Sequence, residues 1–582
     1  MTAPQVPFTA RLRTWIEELR QSDNQLTLLL SLVVGLLVGL VTVAFILITG
    51  RLAAHMYPAG GSGWRRILVP TLGALSTGIL LAKYFPSARG SGIPQTKYAL
   101  FVNDGRILLK TVAGKLLCCS TSLASGISLG REGPAVQIGA GVASVIGRNA
   151  GLSVERVKTL IPVGCSAALA AAFNTPIAAV MFTLEEVLGD LHATVLGTAV
   201  LSSAASWMVL HYFLGDDPLF HVPDYHLVHP AELAVYAVLG VVGGLGSVAF
   251  VKLLLKMRER FLRLPLKTVW AQPAVGGLTV GLIGYFFPAV LGVGYTYVDR
   301  VLNGDAVLET VIVLGILKLV ATATCYSSGN AGGIFSPTLF MGAMMGAATG
   351  GIAHKLFPGI TAGPGAYALV GMGTAFAGII RTPFTSVIMI FELTRDYTII
   401  VPLMISNTIA YFISQQLQRE TIYDALARQD GYHLPHAHSR TESGPGNVNQ
   451  LMRPAPVVLS ADSSVRMAME QGNNSQLDAW PISMETQFYG MVRRSDLETA
   501  IASGAGDAAL KSIVRHSADA NHDAEDFPHV HPDQLLHVAL ERMGSSGLNV
   551  LPVVSRANLN QLLGIVVLED VLKAYGVAPE GI

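Results

Sequence analysis

The sequence predicts an all-α polytopic membrane protein followed by a small soluble α/β region. Three observations carry this. Only 13% of the 582 residues are charged and 51% are hydrophobic, whereas a soluble globular chain carries about 25% charge. The charge is also unevenly spread: no Lys or Arg lies between Lys158 and Lys252, while the residues after about 440 are mixed and charged. Finally, one pattern of Gly and Pro occurs twice within the apolar region.

In chain order, Thr9–Gln21 has apolar residues at helical spacing with charges between them, and reads as an amphipathic helix on a membrane surface. Leu26–Thr49 is long enough to cross, since about 20 apolar residues span the hydrocarbon core. Its length, with Glu17 and Glu18 before it, argues against a cleaved signal peptide. Ile67–Tyr84 is a second span. Further apolar segments follow at Leu108–Leu123, Ala135–Val145, Val157–Phe173, Ile177–Leu188, Thr194–Phe213, Ala231–Leu255, Val275–Phe287, Val307–Thr324, Pro337–Ile352, Ala366–Ile380, Phe384–Leu393 and Ile399–Gln415. Several are too short to cross, and Gly or Pro interrupts the boundaries. Broken helices survive in a bilayer only where protein buries them or they line a cavity. A compact transport core is therefore expected rather than a bundle of straight spans.

Orientation follows from charge. Lys252–Lys267 contains Lys252, Lys256, Arg258, Arg260, Arg263 and Lys267 against Glu259, and is expected to be a cytoplasmic loop. Leu214–Pro230 has Asp216, Asp217 and Asp224 without Lys or Arg, and is expected outside. One span, Ala231–Leu255, separates them, so the two assignments agree. The net charge of zero argues against a nucleic-acid partner. Cys118, Cys119, Cys165 and Cys325 lie in apolar segments without metal-binding spacing, and read as small buried residues. Neither a nucleophile–base pair nor a phosphate loop stands out, so the sequence does not read as an enzyme.

The repeat organises the apolar region. Ser125-Gly-x-x-x-Gly130-x-x-x-Pro134-x-x-x-x-Gly139 returns as Ser328-Gly-x-x-x-Gly333-x-x-x-Pro337-x-x-x-x-Gly342. Gly164-x-x-x-Ala168-x-Ala170 returns as Gly371-x-x-x-Ala375-x-Ala377, and Asn174-Thr-Pro-Ile as Arg381-Thr-Pro-Phe, which sets Glu185 opposite Glu392. Paired broken segments in two halves point to a transporter site at the repeat interface. In the tail, Val457…Ala468…Trp480-Pro-Ile…Gly490-Met-Val…Asp496-Leu is followed by Val530…Ala539…Leu551-Pro-Val-Val…Gly564-Ile-Val-Val…Asp570-Val-Leu. Each copy reads as strand, helix, strand, strand, helix.

Three glycine-rich segments stand out: Gly90-Ser-Gly-Ile-Pro94, Gly130-Arg-Glu-Gly-Pro134 and Gly333-Ile-Phe-Ser-Pro337. Each reads as a helix start, with Pro suited to the first turn and Gly freeing the backbone. Helix N-termini present unpaired N–H groups and partial positive charge, so three that converge could hold a dehydrated anion. A carboxylate in a membrane is costly unless it faces a cavity or has a task. Glu132 is such a carboxylate.

These segments resemble the signatures of the CLC family of chloride channels and proton-coupled chloride transporters, GSGIP, GREGP and GxFxP, in order and over residues 25–425. The tail resembles a tandem CBS pair. The resemblance implies an inverted repeat, a homodimer in the lipid bilayer with one anion pathway per subunit, and chloride and protons as transported ions with no cofactor required. It implies this division: 1–25 an N-terminal amphipathic helix, 26–425 the transport domain, 426–448 a linker, 449–502 the first CBS unit, 503–525 a linker and 526–576 the second CBS unit. An N-terminus without an organelle-targeting pattern suits a bacterial inner membrane, with the tail cytoplasmic.

Carried over by motif, Ser91 would offer its hydroxyl to the central chloride, Ile334 and Phe335 their backbone N–H groups, and Tyr423 its phenol. Gly90, Gly92, Pro94, Gly133 and Gly333 would shape the pathway. Glu132 would be the gate: ionised, it mimics an anion in the external site; protonated, it swings away. Arg131 beside it would tune the field or face solvent. Lys115 would add long-range positive potential or snorkel to the interface. Glu186 matches the internal proton acceptor of the family's exchangers, a position generally apolar in its channels, and the alternative is a helix-end Glu facing water. Proton-coupled exchange is thus expected over a passive voltage- or ligand-gated channel of the same fold. A membrane-anchored nucleotide sensor is the rival from another class.

Some positions depart from the pattern. Gln95 follows GSGIP where the family often has Glu. Ser91, where a Pro would favour nitrate, points to chloride, and the fluoride branch's altered motifs are absent. Arg493 and Val567 stand where a CBS unit usually has Ser or Thr before its ribose-binding Asp. Although Asp496 and Asp570 are kept as possible ligand contacts, adenine-nucleotide binding is disfavoured and dimer contact or gating support is the expected role.

Overall fold

The computed structural model describes residues 23–57, 62–191, 195–223, 225, 227–305, 307–432, 434, 446–473, 475, 477–485, 487–513, 528–556 and 558–575. The expected amphipathic helix at Thr9–Gln21 lies outside them. The chain divides into two compact units, residues 1–434 and 435–582.

The first unit is helical. Its elements are α1 (Asp23–Met56), α2 (Arg65–Lys83), α3 (Ile93–Phe101), α4 (Leu109–Ala124), α5 (Glu132–Asn149), α6 (Val154–Phe173), α7 (Pro176–Phe182), α8 (Leu196–Leu214) and α9 (Glu232–Leu262). They continue as α10 (Gln272–Phe286), α11 (Tyr295–Leu302), α12 (Leu308–Ser327), α13 (Phe335–Leu356), α14 (Pro364–Ile380), α15 (Pro383–Thr394), α16 (Ile400–Leu417) and α17 (Ile422–Gln429). Among the described residues, five helices (α1, α2, α6, α9 and α12) are long and apolar enough to cross a membrane. The face α1 leaves open is Leu28, Leu32, Leu36 and Leu40, while Val34 and Val38 are buried. Such an apolar exterior suits lipid and not water.

Every expected apolar segment contains a helix among the described residues. The expected loop at Lys252–Lys267 is only partly one, because α9 continues to Leu262. Its 31 residues extend about 46 Å at 1.5 Å each, against a hydrocarbon core about 30 Å thick. Lys, Leu, Met and Arg are good helix formers, so the helix runs on past the apolar stretch. Arg258, counted above as a loop charge, is buried and paired with Asp430 at 2.6 Å.

The repeat governs the architecture. Helices α2–α8 recur in the same order as α10–α16, each including a short piece, α3 or α11, that apolar length could not reveal. The halves clasp through Gly130 and Gly333 and through Glu185 and Glu392, and each half closes on itself through one pair of glycines. Gly130 and Gly333 form an antiparallel bridge, each N–H donating to the other's carbonyl at 2.7 Å. A Cβ on Gly139 would sit 2.2 Å from the Gly164 carbonyl oxygen, and one on Gly342 would sit 2.3 Å from that of Gly371. Close helix contacts through small residues are a favoured way to pack in a membrane. Glu185 accepts hydrogen bonds from the Phe384 and Thr385 N–H groups at 3.3 and 2.8 Å, and Glu392 from those of Ile177 and Ala178 at 2.9 and 2.7 Å. Each half thus caps a helix start of the other.

The glycine contact gives a stability prediction. Gly164→Val should lower the melting temperature in detergent, with a cost of about 1–3 kcal/mol from overpacking. An unchanged melt would mean that α5 and α6 can separate freely.

In the second unit α18 (Val448–Leu451) precedes β1 (Leu459–Ser460), α19 (Val465–Gly472), β2 (Ala479–Met484), β3 (Gln487–Arg493) and α20 (Arg494–Ala502). Strand β1 pairs parallel with β2, and β2 antiparallel with β3. The second copy has α21 (Leu536–Ser546), β4 (Val550–Val554), β5 (Leu562–Val567) and α22 (Leu568–Ala574), with β4 and β5 antiparallel. A single parallel bridge from Val530 to Val553 stands where a first strand would be. Trp480 anchors the core, its indole N–H donating to Ser475 Oγ at 2.6 Å. Asp496 accepts from the Arg493 N–H at 3.4 Å, at the start of α20, and Asp570 lies 3.6 Å from Arg453.

Candidate functional site

The three glycine-rich segments meet in the first unit. The first turns into α3 through Gly92, whose φ of +103° is a conformation that side chains rarely adopt. The Gly92 N–H is held by Gln95 Oε1 at 3.0 Å. An amide oxygen therefore serves where the family often has a carboxylate. The second segment starts α5 at Glu132 and the third starts α13 at Phe335. A Cβ on Gly133 would lie 2.8 Å from the Ser91 carbonyl oxygen and 3.4 Å from Gly333 Cα, so the segments touch. Only glycine permits this approach.

Around this junction Ser91, Glu132, Ile334, Phe335 and Tyr423 are all essentially inaccessible to solvent. Ile334 caps α13 and Phe335 is its first residue, so their N–H groups are among those left without an intrahelical acceptor. The Phe335 ring is 6.2 Å from that of Tyr423, edge to face. Two hydroxyls here, Ser91 Oγ and Tyr423 Oη, are buried with no hydrogen-bond partner among the described residues. Buried hydroxyls usually have one. A desolvated anion would be a suitable acceptor for both.

Glu132 folds back towards the second half. Its Oε1 accepts from the Tyr295 phenol at 2.9 Å, and that phenol bonds Ser336 Oγ at 2.8 Å. Its Oε2 is buried without a partner, as is Arg131 Nε. Sequence reasoning missed Tyr295, which follows Gly294 at the start of α11. The signal that could have found it is the repeat, since Gly292-Val-Gly294 stands opposite Gly90-Ser-Gly92.

Lys115 is fully buried on α4 and donates to the carbonyls of Ala88 and Gly90 at 3.0 and 2.7 Å. It holds the loop that carries Ser91, which the snorkelling alternative does not provide. Its repeat counterpart, Lys318 on α12, donates to the carbonyls of Val290 and Gly292 at 3.1 and 2.6 Å, below the loop that carries Tyr295. Each half therefore uses one buried ammonium to fold one Gly-x-Gly turn.

Glu185 and Glu186 lie in a π-helical turn, Thr183–Leu188, that continues α7. Such turns recur at functional sites. Successive helical side chains diverge, so the neighbours serve different partners. Glu185 caps α15. Glu186 is buried, not facing water as a helix-end Glu would, and its Oε1 accepts from Lys97 Nζ at 3.1 Å. Lys97 also reaches Asp424 at 2.9 Å. Neither Lys97 nor Asp424 was expected from the sequence. Among the described residues, no group of His, Cys, Asp and Glu side chains could hold a metal.

Comparison with known proteins bears on the fold and the family. The family described as voltage gated chloride channel matches residues 72–415, and the CBS domain matches 523–577. A ClcB-like chloride channel protein of Ralstonia nicotianae is 34% identical over 383 residues, covering 65% of this chain and 89% of that protein. The H(+)/Cl(-) exchange transporter ClcA of Vibrio cholerae is 30% identical over 426 residues, covering 69% and 88%. Among solved structures, a slow cyanobacterial Cl-/H+ antiporter superposes with a TM-score of 0.64 at 27% identity, covering 69% of this chain and 97% of that one.

Proposed function

The chain belongs to the voltage gated chloride channel (CLC) family, and from that premise we propose that it exchanges chloride for protons, with Glu132 as the gate and Glu186 as the internal proton acceptor. The observation that carries this is the pair of partnerless hydroxyls, Ser91 Oγ and Tyr423 Oη, buried beside the helix starts at Ile334 and Phe335. Hydroxyl and N–H donors with no formal positive charge suit an anion that must also leave. Glu132 can enter such a site only as an anion; a proton removes its claim. Glu186, buried against Lys97, supplies a second titratable group where a passive channel needs none.

The decisive experiment uses the full-length protein in liposomes under opposed chloride and pH gradients. Exchange predicts a reversal potential that moves with the pH gradient. A potential that follows chloride alone would favour the passive channel.

The reading extends to a homodimer in the cell's inner membrane, with the tail on the cytoplasmic side. Lys252, Lys256, Arg260, Arg263 and Lys267 support that orientation, because positive charge is retained inside.

The phenol of Tyr295 should act as a latch on Glu132. Tyr295→Phe removes the hydrogen bond donated to Glu132 together with the one shared with Ser336 Oγ, and keeps the ring. Chloride turnover should rise about tenfold, the scale of one hydrogen bond to a charged group. Initial efflux rates equal to wild type would show that the bond does not hold the gate shut.

A further inference from the structure

The pair of contacts made by Lys97 is not needed to explain either glutamate or the hydroxyl pair, yet it joins them. Lys97 lies on α3, the helix begun by the segment that carries Ser91. Its ammonium is buried and donates both to Glu186 Oε1 at 3.1 Å and to Asp424 Oδ1 at 2.9 Å. Asp424 follows Tyr423 in the first turn of α17. One ammonium therefore ties the helix behind Ser91 to the helix behind Tyr423, and ties both to Glu186.

Other contacts join α3 to α17 and the residues just after it. Tyr98 stacks on Tyr432 with ring centroids 4.3 Å apart, and Gln95 Nε2 reaches Asp430 Oδ2 at 3.4 Å. These lie towards the far end of α17, whereas Lys97 alone of these side chains acts beside Tyr423. The other charged groups near Glu186 are occupied elsewhere. Glu185 caps α15, accepting also from Thr385 Oγ1 at 2.7 Å. Arg381 donates to the carbonyls of Ser414, Gln418 and Arg419.

We propose that Lys97 is a positioning residue that makes the separation of Ser91 from Tyr423 depend on whether Glu186 carries a proton. With Glu186 ionised, the ammonium is shared between two carboxylates. A proton on Glu186 removes one competitor, and the ammonium settles on Asp424, drawing α17 towards α3. The hydroxyl pair then closes while a proton is aboard, so chloride does not slip past a loaded carrier. Charge-assisted hydrogen bonds are the strong ones, and a buried pair broken on one side is strongly unfavourable. That strength lets one proton bias the position of a helix. No covalent step is involved.

The inference rests on the exchange reading, and one experiment separates the two. Chloride efflux and proton uptake are recorded together from liposomes holding full-length wild type, Lys97→Gln, Lys97→Arg or Asp424→Asn. Lys97→Gln and Asp424→Asn should each move about tenfold more chloride per proton, the shift that losing one charge-assisted hydrogen bond produces. Lys97→Arg, which keeps the charge and both acceptors, should restore most of the coupling. Asp424→Asn leaves the Lys97–Glu186 bond in place, so it reads the tie to α17 even where Lys97→Gln folds poorly. Wild-type chloride-to-proton ratios in both Lys97→Gln and Asp424→Asn would overturn this inference alone. Equal losses of chloride and proton flux in Lys97→Gln and Lys97→Arg would also overturn it, making Lys97 a structural strut. A wild type that moves no protons would overturn the exchange reading and the inference with it.

Discussion

Glu132→Gln should abolish proton coupling while leaving the anion pathway open. The substitution keeps the size of the side chain and an oxygen for the Tyr295 phenol, which donates at 2.9 Å in the wild type. It removes the ability to carry negative charge. Ionised Glu132 can stand in for an anion at the helix starts of α5 and α13, and a neutral amide cannot. The site should therefore remain available to chloride at every pH. In liposomes the reversal potential should follow the chloride gradient alone, and chloride flux should lose its dependence on pH on the side that Glu132 faces. The change in proton flux should be about 10²-fold or more, the usual contribution of a positioned acid or base. Proton uptake at the wild-type rate in Glu132→Gln would mean that the gate is another residue.

Glu186→Ala should also stop protons, but with a different residue of behaviour. The proposed anion pathway does not include Glu186, and the Lys97–Asp424 pair remains to hold α3 to α17. Chloride should pass more slowly than in the wild type, because the Lys97 ammonium then rests on Asp424 alone and holds the hydroxyl pair closer. It should still respond to pH on the side that Glu132 faces, because that gate is intact. Proton flux should fall by about 10²-fold or more. Comparing the two variants under a pH gradient distinguishes a gate from a relay. If Glu186→Ala retains proton-coupled chloride movement, Glu186 is a structural partner of Lys97 and the acceptor lies elsewhere.

Much of this protein was legible in the residues, and the physics explains which parts. The apolar segments became helices because lipid leaves a backbone no other partner than itself. The recurrence of Ser125–Gly139 at Ser328–Gly342 marked the two halves, since the same close contacts had to be made twice. The convergence of Gly90–Pro94, Gly130–Pro134 and Gly333–Pro337 followed from their chemistry as helix starts.

What escaped was interaction across long sequence separations. Tyr295 is an ordinary aromatic until it is seen beside Glu132, 163 positions away. Lys97 and Asp424 lie 327 positions apart, and neither belongs to a run that advertises burial. The short helices α3 and α11, of nine and eight residues, fall below the length at which apolar periodicity is informative. The charged end of α9 read as a loop because a loop was the expected place for water-facing lysines, although helix propensity there is high. Lys318, like Tyr295, was a missed residue with a visible signal in the repeat: it sits as far before Phe335 as Lys115 sits before Glu132.

The exchange of caps between Glu185 and Glu392 has a temporal meaning. The N–H groups that open α7 belong to residues 177 and 178, and their acceptor is made about 215 positions later. As the chain leaves the ribosome, the first half is complete in sequence but not in hydrogen bonds. It must wait in the membrane for its twin. The same handshake is self-complementary, as contacts about a two-fold axis are. It would close between two separate copies of a half-length chain as well as it closes between the two halves of this one.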